Sequence, residues 1–233
     1  MQCILACLIF NQRASKMDVK YNSLKQKHRD LRDNFQQPLT LRVHRSLSWF
    51  GRAESENHNG DDDVTFLLLW ISFNAAYAEE IDYNSTEREC FKKFFSVIVD
   101  LDKDQRIYNL VWLRFAQEIR LLLDNQYIYA PFWRFVNGDE ACTNWQERMS
   151  KDKERINYAL KNKDTSLILS ILFERLYVLR NQLVHGGATY KSEVNRSQVI
   201  DGKNILSMLV PLIIEIMMDN EYEDWGEIYY PVV

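Results

Sequence analysis

"DTSLILSILFERLYVLRNQLVHGG", residues 164–187, decides the fold of this chain. Asp164 is placed to cap a helix, the apolar residues after it recur at helical spacing, and Gly186-Gly187 end the run. Leu179, Leu183 and Val184 carry the buried stripe into the last turns. Arg180, Asn181 and His185 sit in those same turns, where a core helix needs none of them. A chain built around this segment is helical, and its polar end is the first place to look for chemistry.

The flanking stretches support the same class. "VTFLLLWISFNAAYAEE", residues 64–80, is apolar nearly all round, which predicts a central buried helix. Asn74 lies within it, and a buried amide must be hydrogen-bonded, so it is expected to bridge to a neighbouring helix. The preceding "SENHNGDDD" reads as a polar loop whose Asp61, Asp62 and Asp63 cap the helix and complement its positive end. A triple-Asp metal site is the alternative, without a visible second ligand cluster. Residues 18–34 read as an amphipathic helix that ends before Pro38. Thr40 then caps a helix in which Leu41, His44, Leu47 and Ser48 share a face. "STEREC" carries a capping box, Thr86 to Glu89. "DQRIYNLVWLRFAQEIRLLLDN", residues 104–125, reads as one long amphipathic helix, and "YIYAPFWRFVNG" as an aromatic stretch broken at Pro131. "NWQERMSKDKERINYALKN" is helical and charged. A polar connection, "ATYKSEVNRSQVIDGKN", leads to a last apolar helix that Pro211 should kink or restart.

Composition bounds the rest. The chain has 233 residues, 46% hydrophobic and 27% charged, so one sizeable core is within reach. Only 7 Gly and 4 Pro are present, which speaks against many-turned β architectures and Gly-rich phosphate loops and for long helices. The net charge of −4 is wrong for a protein that grips long nucleic acid, though it leaves room for a small local site. Residues 20–45 are net positive and "DNEYEDWGEIYY" is acidic; these read as solvated helix faces and a solvated tail. Cys3, Cys7, Cys90 and Cys142 form no C-x-x-C pair, which fits a reduced, cytoplasmic setting. "MQCILACLIF" lacks a basic flank and a cleavage site, so residues 1–16 are expected to lie outside the fold, with Met17 the more natural start. "ILSMLVPLIIEIMM" is too short to span a bilayer. Residues 17–233 therefore read as a single helical domain with a less distinctive middle section, about residues 100–160.

No Walker loop, dinucleotide fingerprint, H-E-x-x-H or nucleophile elbow occurs. What remains is Arg180-Asn181 followed by His185. Positions 181 and 185 are one helical turn apart, while 180 and 185 lie about 140° apart, so only the long Arg side chain brings the two together. An Arg and a His suffice for metal-free RNA cleavage: His takes the 2′-hydroxyl proton and Arg stabilises the phosphoryl oxygens. Cations in a helix's last turn also favour its negative end, whether or not they catalyse. The looser R-x5-H spacing also matches Arg52 and His58, which run into the polar loop and carry no weight.

"RNQLVHGGATYKSEVNRSQV" resembles the signature of HEPN domains, particularly the Apea-like group, in which an Arg, a polar residue and a His end the next-to-last helix. "FLLLWISFNAAYAEE" resembles the early core helix of that group, and "MDVKYNSLKQKHRDLRDNF…LRVHRSLSWFGRAE" its usual beginning. The resemblance touches residues 17–80 and 164–220. It implies an all-α, up-and-down helical bundle with additional helices that forms a homodimer. It also implies a metal-independent endoribonuclease, without cofactor, acting in phage defence, toxin–antitoxin systems or stress response. Arg180 and His185 would be the catalytic pair and Asn181 would orient the phosphate. Lys191, Asn195, Arg196 and Gln198 would line the same cleft for substrate. RNA is then the substrate, an antitoxin or regulatory protein a further partner, and the membrane none. HEPN toxins silenced by a nucleotidyltransferase carry a Tyr two residues after the His; Gly187 stands there in this chain, so that control is not implied. The alternative is a family member without activity, serving as a dimerisation or nucleotide- or partner-binding module.

Overall fold

The computed structural model describes residues 20–78, 87–228 and 230. Ten α-helices and no strand occur among them, and the protein is an all-α helical bundle. The helices are α1 (Tyr21–Leu31), α2 (Gln37–His58), α3 (Asp62–Tyr77), α4 (Glu87–Leu101), α5 (Arg106–Asn109), α6 (Ala116–Asp124), α7 (Ala130–Val136), α8 (Trp145–Asn162), α9 (Thr165–Val184) and α10 (Arg196–Asp219). Residues 1–19 and Thr86, and with them the expectations for the opening segment and the capping box, lie outside the described residues.

Helix α9 is the axle. Asp164 caps it, its carboxylate accepting from the Leu167 N–H at 3.0 Å. Ile168, Leu169, Leu172, Phe173, Leu176 and Leu179 are all buried. Its neighbour α3 supplies Phe66, Leu69, Trp70 and Phe73, and Phe73 and Phe173 sit 4.4 Å apart between ring centroids. Phe91 and Phe95 of α4 complete this aromatic layer. Such rings bury large areas and prefer the tilted and edge-on arrangements seen here. Helix α10 closes the core by coming very near α3 and α9 at Gly202. A Cβ there would stand 2.9 Å from Leu176 Cδ2 and 3.0 Å from Phe66 Cε2, so any larger residue at this crossing would force those buried side chains to shift. Residues of the middle section, Ile107, Leu110, Ile119, Leu122 and Ile156 among them, belong to the same apolar core.

Several elements depart from the sequence reading. Residues 104–125 are not one helix: five residues, Leu110–Arg114, form a π turn between α5 and α6. The Phe115 N–H reaches the Leu110 carbonyl at 2.9 Å, and the extra residue lets Leu110, Val111 and Phe115 all face inward. Pro38 does not separate helices but lies in the first turn of α2, where a missing N–H costs nothing; Gln36, not Thr40, is the cap residue. The core face of α2 is Leu39, Val43, Leu47 and Phe50, while His44 and Ser48 are exposed. The segment "SENH" is the last turn of α2 rather than loop. Pro131 opens α7 instead of breaking it, and α10 runs through Pro211. Asn74 is only half-buried and its amide makes no hydrogen bond with the described residues.

The basic stretch and the acidic tail are not simply solvated. Arg42 is 1% exposed and its guanidinium donates to the carbonyls of Ala78 (2.6 Å) and Glu227 (2.7 Å). It thereby satisfies the C-terminal end of α3 and holds the tail, which Arg45 grips again at the Tyr230 carbonyl. Lys27 pairs with Asp219 at 2.6 Å. No helix among the described residues is long and apolar enough to cross a membrane. Cys90 and Cys142 are not in disulfides.

Candidate functional site at the end of α9

The site is created by the way α9 stops. His185 is the C-terminal cap residue, its N–H bonded to the Asn181 carbonyl, and the chain reverses at Gly186 with φ +70°. That backbone region suits glycine, because a Cβ would crowd the carbonyl. The turn leaves His185 exposed at the surface. Arg180, one turn earlier and half-buried, donates from Nη1 to Asn181 Oδ1 at 2.8 Å. Arg180 and Asn181 are thus in direct contact, and no hydrogen bond joins either side chain to His185 among the described residues.

Asn181 lines a cavity of about 350 Å³ that lies between α7, α9 and the loop after α9, together with Trp133, Asn137, Tyr177, Gln182 and Asn195. Gln182 holds this cavity together. Its Nε2 donates to the Tyr127 carbonyl (2.7 Å) and its Oε1 accepts from Asn195 Nδ2 (2.8 Å). Trp133 Nε1 donates to the same Tyr127 carbonyl. Gln182 and Trp133 are site residues that sequence reasoning missed; Gln182 follows Asn181 directly but carries no charge to mark it.

The four further candidates divide. Arg196 is held by Asp63, Nη2 donating to Oδ1 at 2.7 Å and to Oδ2 at 3.0 Å, and Asp63 is 5% exposed. Lys191 gives its backbone N–H to the same carboxylate at 2.8 Å, while its ammonium lies 5.2 Å over the Tyr190 ring. Asn195 is taken by Gln182. Gln198 is half-buried and lines no part of the cavity. Arg196 and Asn195 therefore anchor the loop, and Asn195 also lines the cavity. The acids at 61–63 are shared between helix capping and these anchors. Asp61 Oδ1 accepts from the Val64 N–H, Asp61 Oδ2 from the Tyr190 hydroxyl, and Asp62 pairs with Lys203. Burial works to raise the Asp61 carboxyl, yet those hydrogen bonds outweigh it and hold the group below its ordinary value. No group of acids, His or Cys able to hold a metal ion occurs among the described residues. Arg52 and His58 are engaged within α2, Arg52 with Glu56 and His58 with the Glu54 carbonyl.

A second polar group lies deeper along the same helix. Arg175 is 3% exposed, stacks 4.2 Å from the Tyr129 ring centroid, and its Nε lacks a hydrogen-bond partner. Tyr129 donates to Asp152, and Arg88 holds Glu174 with two hydrogen bonds. Burial, then the Asp152 carboxylate, pushes the Tyr129 hydroxyl up to about 12, and burial pulls the Arg175 guanidinium below its ordinary value. Arg175 and Tyr129 are buried, and Arg88, which reaches both Glu174 and Asp152, ties α4, α8 and α9 together. Compared with protein-family models, with curated proteins and with solved structures, this chain finds no match.

Proposed function

We propose that this protein is a metal-independent endoribonuclease of HEPN type, in which Arg180, Asn181 and His185 act on an RNA phosphodiester. The observation that carries the reading is the end of α9: an exposed imidazole at the cap and a guanidinium whose hydrogen-bond partner is a neutral amide, not a carboxylate. A neutral partner fixes the direction of the guanidinium and leaves its charge uncompensated for a phosphate. His185 removes the proton of the 2′-hydroxyl, the 2′ oxygen attacks the adjacent phosphorus, and the bond from phosphorus to the 5′ oxygen breaks. Arg180 stabilises the equatorial oxygens as charge builds on them.

The departing 5′ oxygen needs a proton, which His185 of a second copy can supply if two chains pack at this end. Val184, Tyr190 and Val194 are 50%, 64% and 64% exposed around it, the kind of apolar surface that a homodimer covers. Cleavage of mixed structured and unstructured RNAs in excess EDTA tests the reading. Wild type should leave 2′,3′-cyclic phosphate ends, and His185→Ala or Arg180→Ala should cut about 10²–10⁴-fold more slowly while staying folded. If folded, dimeric wild type leaves every RNA intact, the site is a binding module and not an enzyme.

A further inference from the structure

Helices α1 and α2 enclose a cleft of about 550 Å³ whose lining includes Lys25, His28, Arg29, Arg32, His44 and Arg52 and no acidic residue. In a chain of net charge −4 this is a marked local excess of cations. Some are partly engaged: Arg52 with Glu56, Arg32 with Asp33 at 3.8 Å across an exposed pair, and Lys25 5.1 Å over the Tyr21 ring. Arg29 and His44 have no hydrogen bond or ion pair with the described residues, and both are exposed. The other acids of these helices do not line the cleft and are engaged: Asp30 by Gln26 and Glu54 by the Tyr21 N–H. His28 forms part of the cleft wall, 5% exposed, and its Nε2 has no hydrogen-bond partner. The His28 and His44 rings lie 6.3 Å apart between centroids.

A buried, unpartnered imidazole nitrogen is unfavourable unless something donates to it or accepts from it. Clustered cations without acids repel one another, and a bound anion turns that repulsion into attraction. Two imidazoles and two guanidinium groups around one space match the several oxygens of a phosphate, which accepts hydrogen bonds from each. The cleft exceeds what a bare phosphate fills and falls in the roughly 300–1,000 Å³ range of small-molecule sites. We propose that the α1–α2 cleft binds the 5′-phosphate of a nucleotide, either free or at the end of an RNA strand, among His28, Arg29, Arg32 and His44. None of these residues lines the cavity at the end of α9, so the proposal stands apart from the cleavage reading.

Titration calorimetry tests it at one fixed salt concentration in a His185→Ala background, so that RNA stays intact. The probes are a 5′-phosphorylated decaribonucleotide, the same oligonucleotide with a 5′-hydroxyl, and adenosine 5′-diphosphate. The phosphorylated oligonucleotide should bind about tenfold or more tightly than the hydroxyl form, and Arg29→Ala/His44→Gln should remove that difference. Both substitutions are at exposed positions and leave the core untouched; His28→Asn, checked for fold by circular dichroism, should weaken binding likewise. Binding of the diphosphate identifies a free nucleotide as ligand, and binding of the phosphorylated strand alone identifies an RNA end. Equal affinity for the phosphorylated and hydroxyl strands with no binding of the diphosphate overturns the proposal. So does phosphate-dependent binding that Arg29→Ala/His44→Gln leaves unchanged.

Discussion

A guanidinium can serve a substrate only when no carboxylate already holds it, and Arg180 and Arg196 stand on opposite sides of that line. Arg196 is committed to the buried Asp63 carboxylate, 133 positions away in the chain, together with the Lys191 backbone. Removing one partner of a buried pair leaves the other uncompensated, so Asp63→Ala should cost about 3 kcal/mol by denaturant unfolding. Lys191→Ala, which keeps that backbone hydrogen bond, should stay within about 0.5 kcal/mol. Arg180→Ala loses one hydrogen bond to an amide and should cost only about 1 kcal/mol while cleavage collapses. Arg180, Asn181 and His185 were legible as candidates because they are close along the chain, and the structure joins the side chains of Arg180 and Asn181 only. The separate fates of Arg196 and Asn195 were not, because Asp63 and Gln182 reach them through the fold.

Two helix starts were legible in the sequence, and for a physical cause. Caps act through residues one to three positions away, so Asp164 and Asp61 announce themselves locally. Asp164→Ala should cost about 1 kcal/mol, visible as a lower denaturant midpoint with unchanged slope. Gly186→Ala places a side chain at φ +70° and should cost about 1 kcal/mol as well. If the turn at Gly186 is what presents His185, this variant should also lose more cleavage than its stability loss explains, measured at a temperature where it remains folded. The π turn after α5 was not legible. Its apolar residues keep a helical spacing on both sides, and only packing against α9, where Trp112 donates to Thr165, rewards the additional residue. Prolines misled in a similar way, since Pro38 and Pro131 mark helix beginnings here and a breaker elsewhere.

At the scale of the whole molecule, composition and helical spacing pointed to an all-α protein, but the arrangement of charge emerged only with packing. Arg42 reads as a surface cation and is in fact the buried clasp between α3 and the tail. Lys25, His28, Arg29, Arg32, His44 and Arg52 gather on one cleft, and this has a consequence for stability against pH. Burial, then the charges of His44 and Arg32, lowers the His28 pKa below 6.5. Lys25, Arg29 and Arg52 also face that cleft, and no acid does. A lowered histidine pKa means the unfolded chain takes up a proton before the folded one does. The stabilisation is therefore fully present above pH 6.5 and is lost as pH falls through the folded value. Denaturant midpoints of the wild type should be level above about pH 6.5 and fall between there and about pH 5.5, still above the ordinary carboxylate range. His28→Leu should flatten that slope whatever its own absolute stability. Adding the phosphate ligand of the α1–α2 cleft should flatten the wild-type slope as well, because an anion there favours the protonated imidazole in the folded state; an unchanged slope with saturating ligand would place the phosphate elsewhere.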